Sequence, residues 1–190
     1  PPLRLTNHHG LMIAGEAALS NWDAGMDMYI YGKLGNLTMT KEGINVLMTN
    51  LTGKVPPILQ RLDYIRFNGE AAGYLHDLTL TGLFYTGAGM VKTDVMMSID
   101  EQSMSRTYSG SVASADLDLG KLLNQEKKFG KVDFNVELKG FNYKNRYPES
   151  YIKGIISSFE YSQYQYENIM LDGVYKDGGF NGRLSMDDAN

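Results

Sequence analysis

The residues able to do chemistry are few and poorly grouped. Histidine occurs only at His8-His9 and at His76, beside Asp77. A metal site needs three or four convergent ligands, and nothing is spaced to join either pair, so both read as surface or turn residues. Asp116 with Asp118 and Asp187 with Asp188 have the look of paired carboxylates for acid–base work. Their neighbours are turn and strand-end residues, which makes them solvated loop and capping groups. Gly87-Ala88-Gly89 lacks the third glycine and following helix of a dinucleotide loop and reads as a turn. Cysteine is absent, and no Gly-x-Ser-x-Gly elbow occurs. Asn36-Leu37-Thr38 and Asn50-Leu51-Thr52 are sequons by pattern alone. Tyr161, Tyr164 and Tyr166 offer rings for stacking on sugar or protein, although exposed tyrosine on a strand's polar face is the plainer account. These residues predict a protein that is not an enzyme and that needs no cofactor or metal.

The elements that would position such groups are strands. In Lys131–Gly140, Val132, Phe134, Val136 and Leu138 alternate with Asp133, Asn135, Glu137 and Lys139. Successive strand side chains point to opposite faces, so the segment has one apolar and one wet side. A helix would scatter the same residues around its circumference. Similar alternation predicts strands near Tyr64–Asn68, Leu78–Phe84, Met90–Ile99, Thr107–Ala113, Ile152–Tyr161, Tyr164–Tyr175 and Phe180–Met186. Earlier in the chain, Leu11-Met12-Ile13 reads as a buried strand and Trp22-Asp23-Ala24-Gly25 as a turn. Met26–Tyr31 alternates, Gly35-Asn36 reads as a turn, and Ile44, Val46 and Met48 alternate in a strand reaching Leu51. Short helices are predicted near Pro56–Leu62, opened by a proline pair, and near Leu119–Asn124. The helix at Pro56–Leu62 is placed to plug one end or side of a sheet.

With 190 residues the chain is long enough for one sizeable domain. Its 18 basic and 22 acidic residues give a net charge of −4, which exerts no pull on phosphate backbones and argues against nucleic-acid binding. No apolar run reaches the roughly 18 residues of a membrane-spanning helix. The chain opens on Pro1-Pro2 and reads as a fragment of a larger protein, with any anchor outside it. Twenty-one glycines and thirteen tyrosines suit many punctuated strands. An internal repeat matches Leu78–Gly87, centred on Gly82, to Ile169–Gly178, centred on Gly173. Lys176-Asp177-Gly178-Gly179 fits a hairpin loop. Residues 1–190 are expected to form a single β unit, all-β and mainly antiparallel.

Leu117-Asp118-Leu119-Gly120-Lys121-Leu122-Leu123, then Phe129-Gly130-Lys131-Val132 and a strand ending at Gly140, resembles the AsmA-like superfamily, specifically the C-terminal half of TamB-type (translocation and assembly module) proteins of Bacteroidota. Phe159–Asp188 and Leu62–Gly82 carry the same likeness, which covers roughly residues 55–190. The resemblance implies a periplasmic protein anchored in the inner membrane by a helix outside this piece. It implies a curved, β-taco-like sheet whose apolar groove carries phospholipid acyl chains between membranes and supports outer-membrane assembly. It also implies that the full-length protein has a BamA-like outer-membrane barrel as partner. Val132, Phe134, Val136, Leu138, Ile169, Leu171, Leu184 and Met186 are the expected groove lining. The same alternation equally describes an extracytoplasmic β-sandwich that binds protein or glycan by its surface.

Overall fold

The computed structural model describes residues 3–6, 10–21, 27, 29–52, 55, 57–74, 76–100, 102–103, 105–142 and 149–187. His8-His9, the expected turn at Trp22–Gly25, Met26, Met28, Pro56 and Asp188 lie outside these residues. Eleven strands form one sheet in strict chain order, each antiparallel to its neighbour. They are β1 (Leu3–Thr6), β2 (Leu11–Ser20), β3 (Tyr29–Thr40), β4 (Tyr64–Tyr74), β5 (Asp77–Thr86) and β6 (Gly89–Ile99). There follow β7 (Arg106–Asp118), β8 (Phe129–Asn142), β9 (Glu149–Tyr161), β10 (Tyr164–Lys176) and β11 (Gly179–Met186). The sheet is curved and open, as the sequence predicts. Among the described residues no second sheet packs on it, so the architecture is a single layer and not a sandwich.

Three short helices join strands along one rim: α1 (Lys41–Thr52), α2 (Pro57–Gln60) and α3 (Leu119–Leu123). The last two fall where the sequence places them. α1 corrects the expected strand over Ile44–Leu51. Ile44, Leu47 and Leu51 are also spaced i, i+3, i+7, and Thr40 caps the helix by accepting from the Gly43 N–H at 3.3 Å. The expected turn at Gly35-Asn36 is instead a bulge inside β3, between Leu34 and Leu37. α3 is set by its own residues. Asp118 accepts from the Lys121 N–H at 2.8 Å, and Asn124 closes the helix in the left-handed conformation at φ 57°. The β10–β11 hairpin turns on Asp177 (φ 52°) and Gly178 (φ 80°), as its sequence predicts.

The buried core lies beneath this rim. Ile44 of α1, Leu122 of α3 and Leu62 pack with Ile65, Ala88, Leu117 and Val132. Ile44 is only 1% exposed, a burial worth about 1.5–3 kcal/mol. Arg61 Nη1 donates to the Leu122 carbonyl, while Lys121 Nζ reaches Asp63 Oδ2 at 2.6 Å and the Gly87 carbonyl at 3.2 Å. These contacts tie α3 to the corner between α2 and β4, forming a half-roof over one margin of the sheet.

The repeat has a structural basis. Gly82 pairs with Gly69 across β4 and β5, and Gly173 with Gly182 across β10 and β11. The backbones come so close that a Cβ on Gly82 would lie 2.5 Å from the Asn68 carbonyl, and one on Gly182 2.4 Å from that of Asp172. The ring of Phe67 covers the first pair and that of Phe180 lies against the second, each contributed by a Phe-Asn-Gly run. Such glycine pairs bend the sheet sharply, and the aromatic ring replaces the missing side-chain contact.

Candidate functional site, the uncharged face of the sheet

Register across the strands sorts the side chains into rows. One row on the roofed face runs Phe67, Phe84, Val91, Ser114, Phe134, Ile156, Ile169, Met186. The next runs Gly69, Gly82, Thr93, Val112, Val136, Gly154, Leu171, Leu184, and a third Ala71, Leu80, Val95, Gly110, Leu138, Ile152, Gly173, Gly182. None of these positions carries an ionisable charge. Neighbouring strands lie about 4.8 Å apart, so each row extends about 34 Å from β4 to β11. The opposite face holds the charges, including Arg66, Glu70, Lys92, Asp94, Glu137, Lys139, Lys153, Asp172 and Arg183.

All eight residues expected to line a groove lie on the uncharged face. Phe134, Ile169 and Met186 share the first row, Val136, Leu171 and Leu184 the second. Leu138 is in the third, and Val132 pairs with Leu117 under the roof. Their exposure rises away from the helices. Val132 and Val136 are buried, and Phe134, Leu138, Ile169 and Leu171 are half-buried. Leu184 is 60% exposed and Met186 52%. The roof thus covers one margin over the central strands, and the uncharged face lies open toward β11.

The chain exposes 12368 Å², against about 9,100 Å² for a compact monomer of its mass, and its exposed large hydrophobics include Leu184 and Met186. Apolar patches beyond a few hundred Å² on a protein surface mark ligand grooves or interfaces.

The residues with potential chemistry do not assemble. No group of three or more metal-ligating side chains occurs among the described residues. His76 stacks on Tyr74 at 5.4 Å, and its Nδ1 lies 3.7 Å from Asp27. Asp118 is a helix cap. Asp116, in a bulge of β7, accepts from Lys131 Nζ at 3.0 Å, and this contact raises the lysine's pKa. Thr38 donates its hydroxyl to Asn36 Oδ1 at 2.8 Å within the first sequon. Gly87-Ala88-Gly89 spans the β5–β6 turn, as expected. Tyr161 and Tyr166 join Phe129 and Phe159 in a ring cluster, and Tyr164 meets Tyr166 edge-on at 4.6 Å. Local packing against one another accounts for these tyrosines.

Sequence reasoning missed a set of large apolar side chains on the charged face: Met96, Phe141, Tyr151, Ile155 and Met170. Phe141 and Ile155 fall on the polar side of otherwise clean alternations, and that departure was the available signal. Compared with protein-family models, curated proteins and solved structures, the chain matches none. What the fold itself defines is an open, single-layer β trough.

Proposed function

We propose that this chain is a section of a lipid conduit in which the uncharged face shelters acyl chains while head groups stay in water. The observation that carries the reading is an apolar face, free of charge over three rows and eight strands, with no second layer upon it among the described residues. An acyl chain laid along it leaves water, worth about 0.8 kcal/mol per fully buried CH₂. That attraction is non-directional, so a chain can slide along the rows without breaking a specific bond. Glycines within the rows keep the rail low where the sheet bends.

On this reading the protein belongs to a TamB-like, AsmA-like envelope machine. It works in the periplasm, is held to the inner membrane by a segment outside these residues, and meets a BamA-like barrel through its full-length form. Phospholipid is the cargo and no catalytic step is involved. The likeness of the Leu117–Gly140 and Phe159–Asp188 runs to that family supports the assignment.

A pair of neighbours on β10 provides the test. Leu171 faces the trough, whereas Met170, already 57% exposed, faces the charged side. Native mass spectrometry of protein from a bacterial host is expected to show bound phospholipid in the wild type and in Met170→Asp, and none in Leu171→Asp. Circular dichroism confirms that both variants fold. Equal retention by the two variants refutes the trough.

A further inference from the structure

The charged face carries a cleft on the other side of the sheet from the trough. β7 presents only small side chains outward, namely Thr107, Ser109, Ser111 and Ala113. Larger ones flank them, Met96 on β6 and Lys139 and Phe141 on β8, so a valley follows β7. In the valley lies a cleft of about 440 Å³ whose walls include Met96, Phe141, Tyr151 and Val174.

Two features of the cleft run against its face. Its walls are mainly apolar, although alternation reserves this side for polar groups, and Met96 stands 50% exposed. Its cation is also unspent. Lys139 has no hydrogen bond or ion pair among the described residues, although acids surround it. Glu149 lines this cleft too, and Lys176 pairs with it at 2.8 Å. Asp172 accepts from the Tyr151 hydroxyl at 2.6 Å and lies 3.7 Å from Lys153 Nζ. Asp94 accepts from Thr81 at 2.9 Å. Glu137, two residues from Lys139, lines with Asp94 an adjoining cleft of about 570 Å³ and disfavours an anion there. Lys139 lines both clefts, and a negative group is better accommodated on the apolar side, where Glu149 is already paired with Lys176.

We propose that this outer cleft binds a single-chain amphipathic anion, a fatty carboxylate whose head pairs with Lys139 and whose tail lies across Met96, Phe141, Tyr151 and Val174. The volume is in the range of small-molecule sites, which are mostly apolar with a few polar groups fixing orientation. Charge complementarity selects the carboxylate over its uncharged analogue.

Calorimetric titration with dodecanoate and dodecanol tests the site in Leu171→Asp protein, where the trough is blocked. Dodecanoate is expected to bind with one-to-one stoichiometry, and dodecanol at least tenfold more weakly. Adding Lys139→Glu or Met96→Glu should weaken dodecanoate tenfold or more, while Lys139→Arg should retain it. Equal binding of acid and alcohol, no binding by the Leu171→Asp protein, or indifference to both Lys139→Glu and Met96→Glu overturns the site. Loss of phospholipid in Leu171→Asp is read separately, so the trough and the cleft stand or fall on different results.

Discussion

The dependence of affinity on acyl-chain length distinguishes an open trough from an enclosed pocket. Consider lysophospholipids of twelve, fourteen and sixteen carbons, titrated below their micelle thresholds by displacement of a fluorescent fatty probe. Full burial of a methylene is worth about 0.8 kcal/mol, so two methylenes in a closed pocket strengthen binding by about 1.6 kcal/mol, roughly fifteenfold. Among the described residues the trough has a floor and no lid. Leu138, Ile169 and Leu171 are themselves only half-buried, so a chain resting on them stays wet on its far side. Half-burial gives about 0.4 kcal/mol per methylene, or roughly a fourfold gain per two carbons. The gain should persist through the series, because rows about 34 Å long do not run out of floor. A flat response, or a steep rise that stops at one length, refutes the open trough. The first would mean that the face does not hold acyl chains, and the second that they occupy a closed cavity.

Four further outcomes follow. Phe67→Ala should cost about 3–5 kcal/mol in urea unfolding, because this ring is 2% exposed, meets the tilted ring of Phe84 at 4.6 Å and covers a glycine pair. Leu184→Ala, at the open edge, should stay within about 0.5 kcal/mol of wild type in the same assay. Thr40→Ala should cost about 1 kcal/mol through loss of the α1 cap, with reduced helical ellipticity. The Lys121 ammonium, by hydrogen bond and charge, holds the Asp63 carboxyl below its ordinary range. Its contribution is present above the unfolded value of about 3.9 and is lost as pH falls through the lower folded value. Hydrogen exchange corrected for intrinsic rate should show α3 loosening on acidification, and Asp63→Asn should abolish that response.

Much of the fold was legible because strand chemistry repeats. The run from Val132 to Leu138 announces its two faces, and the same alternation located β4 to β11, although it ended β4 at Asn68 rather than Tyr74 and β7 at Ala113 rather than Asp118. α1 was misread for a physical reason: its apolar residues satisfy periods of 2 and 3.6 together, and the arbitrating signal was Thr40 placed as a cap. Gly35-Asn36 has turn composition, yet here it feeds a bulge that β2 and β4 hold in register. The eight residues expected to line a groove do share one face, but their exposure was beyond the sequence. Val136 and Leu184 belong to the same row, but Val136 is buried on the interior strand β8, whereas Leu184 lies on the edge strand β11 and is 60% exposed. The outer cleft was illegible for a similar reason. Small outward residues on β7 become a valley only once β6 and β8 are known to flank it.

The chain-order pairing of the strands has a mechanical consequence. Every strand neighbours the one just made, so most pairings close a short loop, the helical connection from β3 to β4 being the longest, and assembly resembles a zipper more than the distant pairings of a sandwich. Stability in such an array accumulates through nearest-neighbour terms, as in solenoid repeats. Tension applied at the two ends should peel hairpins away in sequence, producing a sawtooth of small force peaks and leaving for last the segment where α3 bolts β7 to β8.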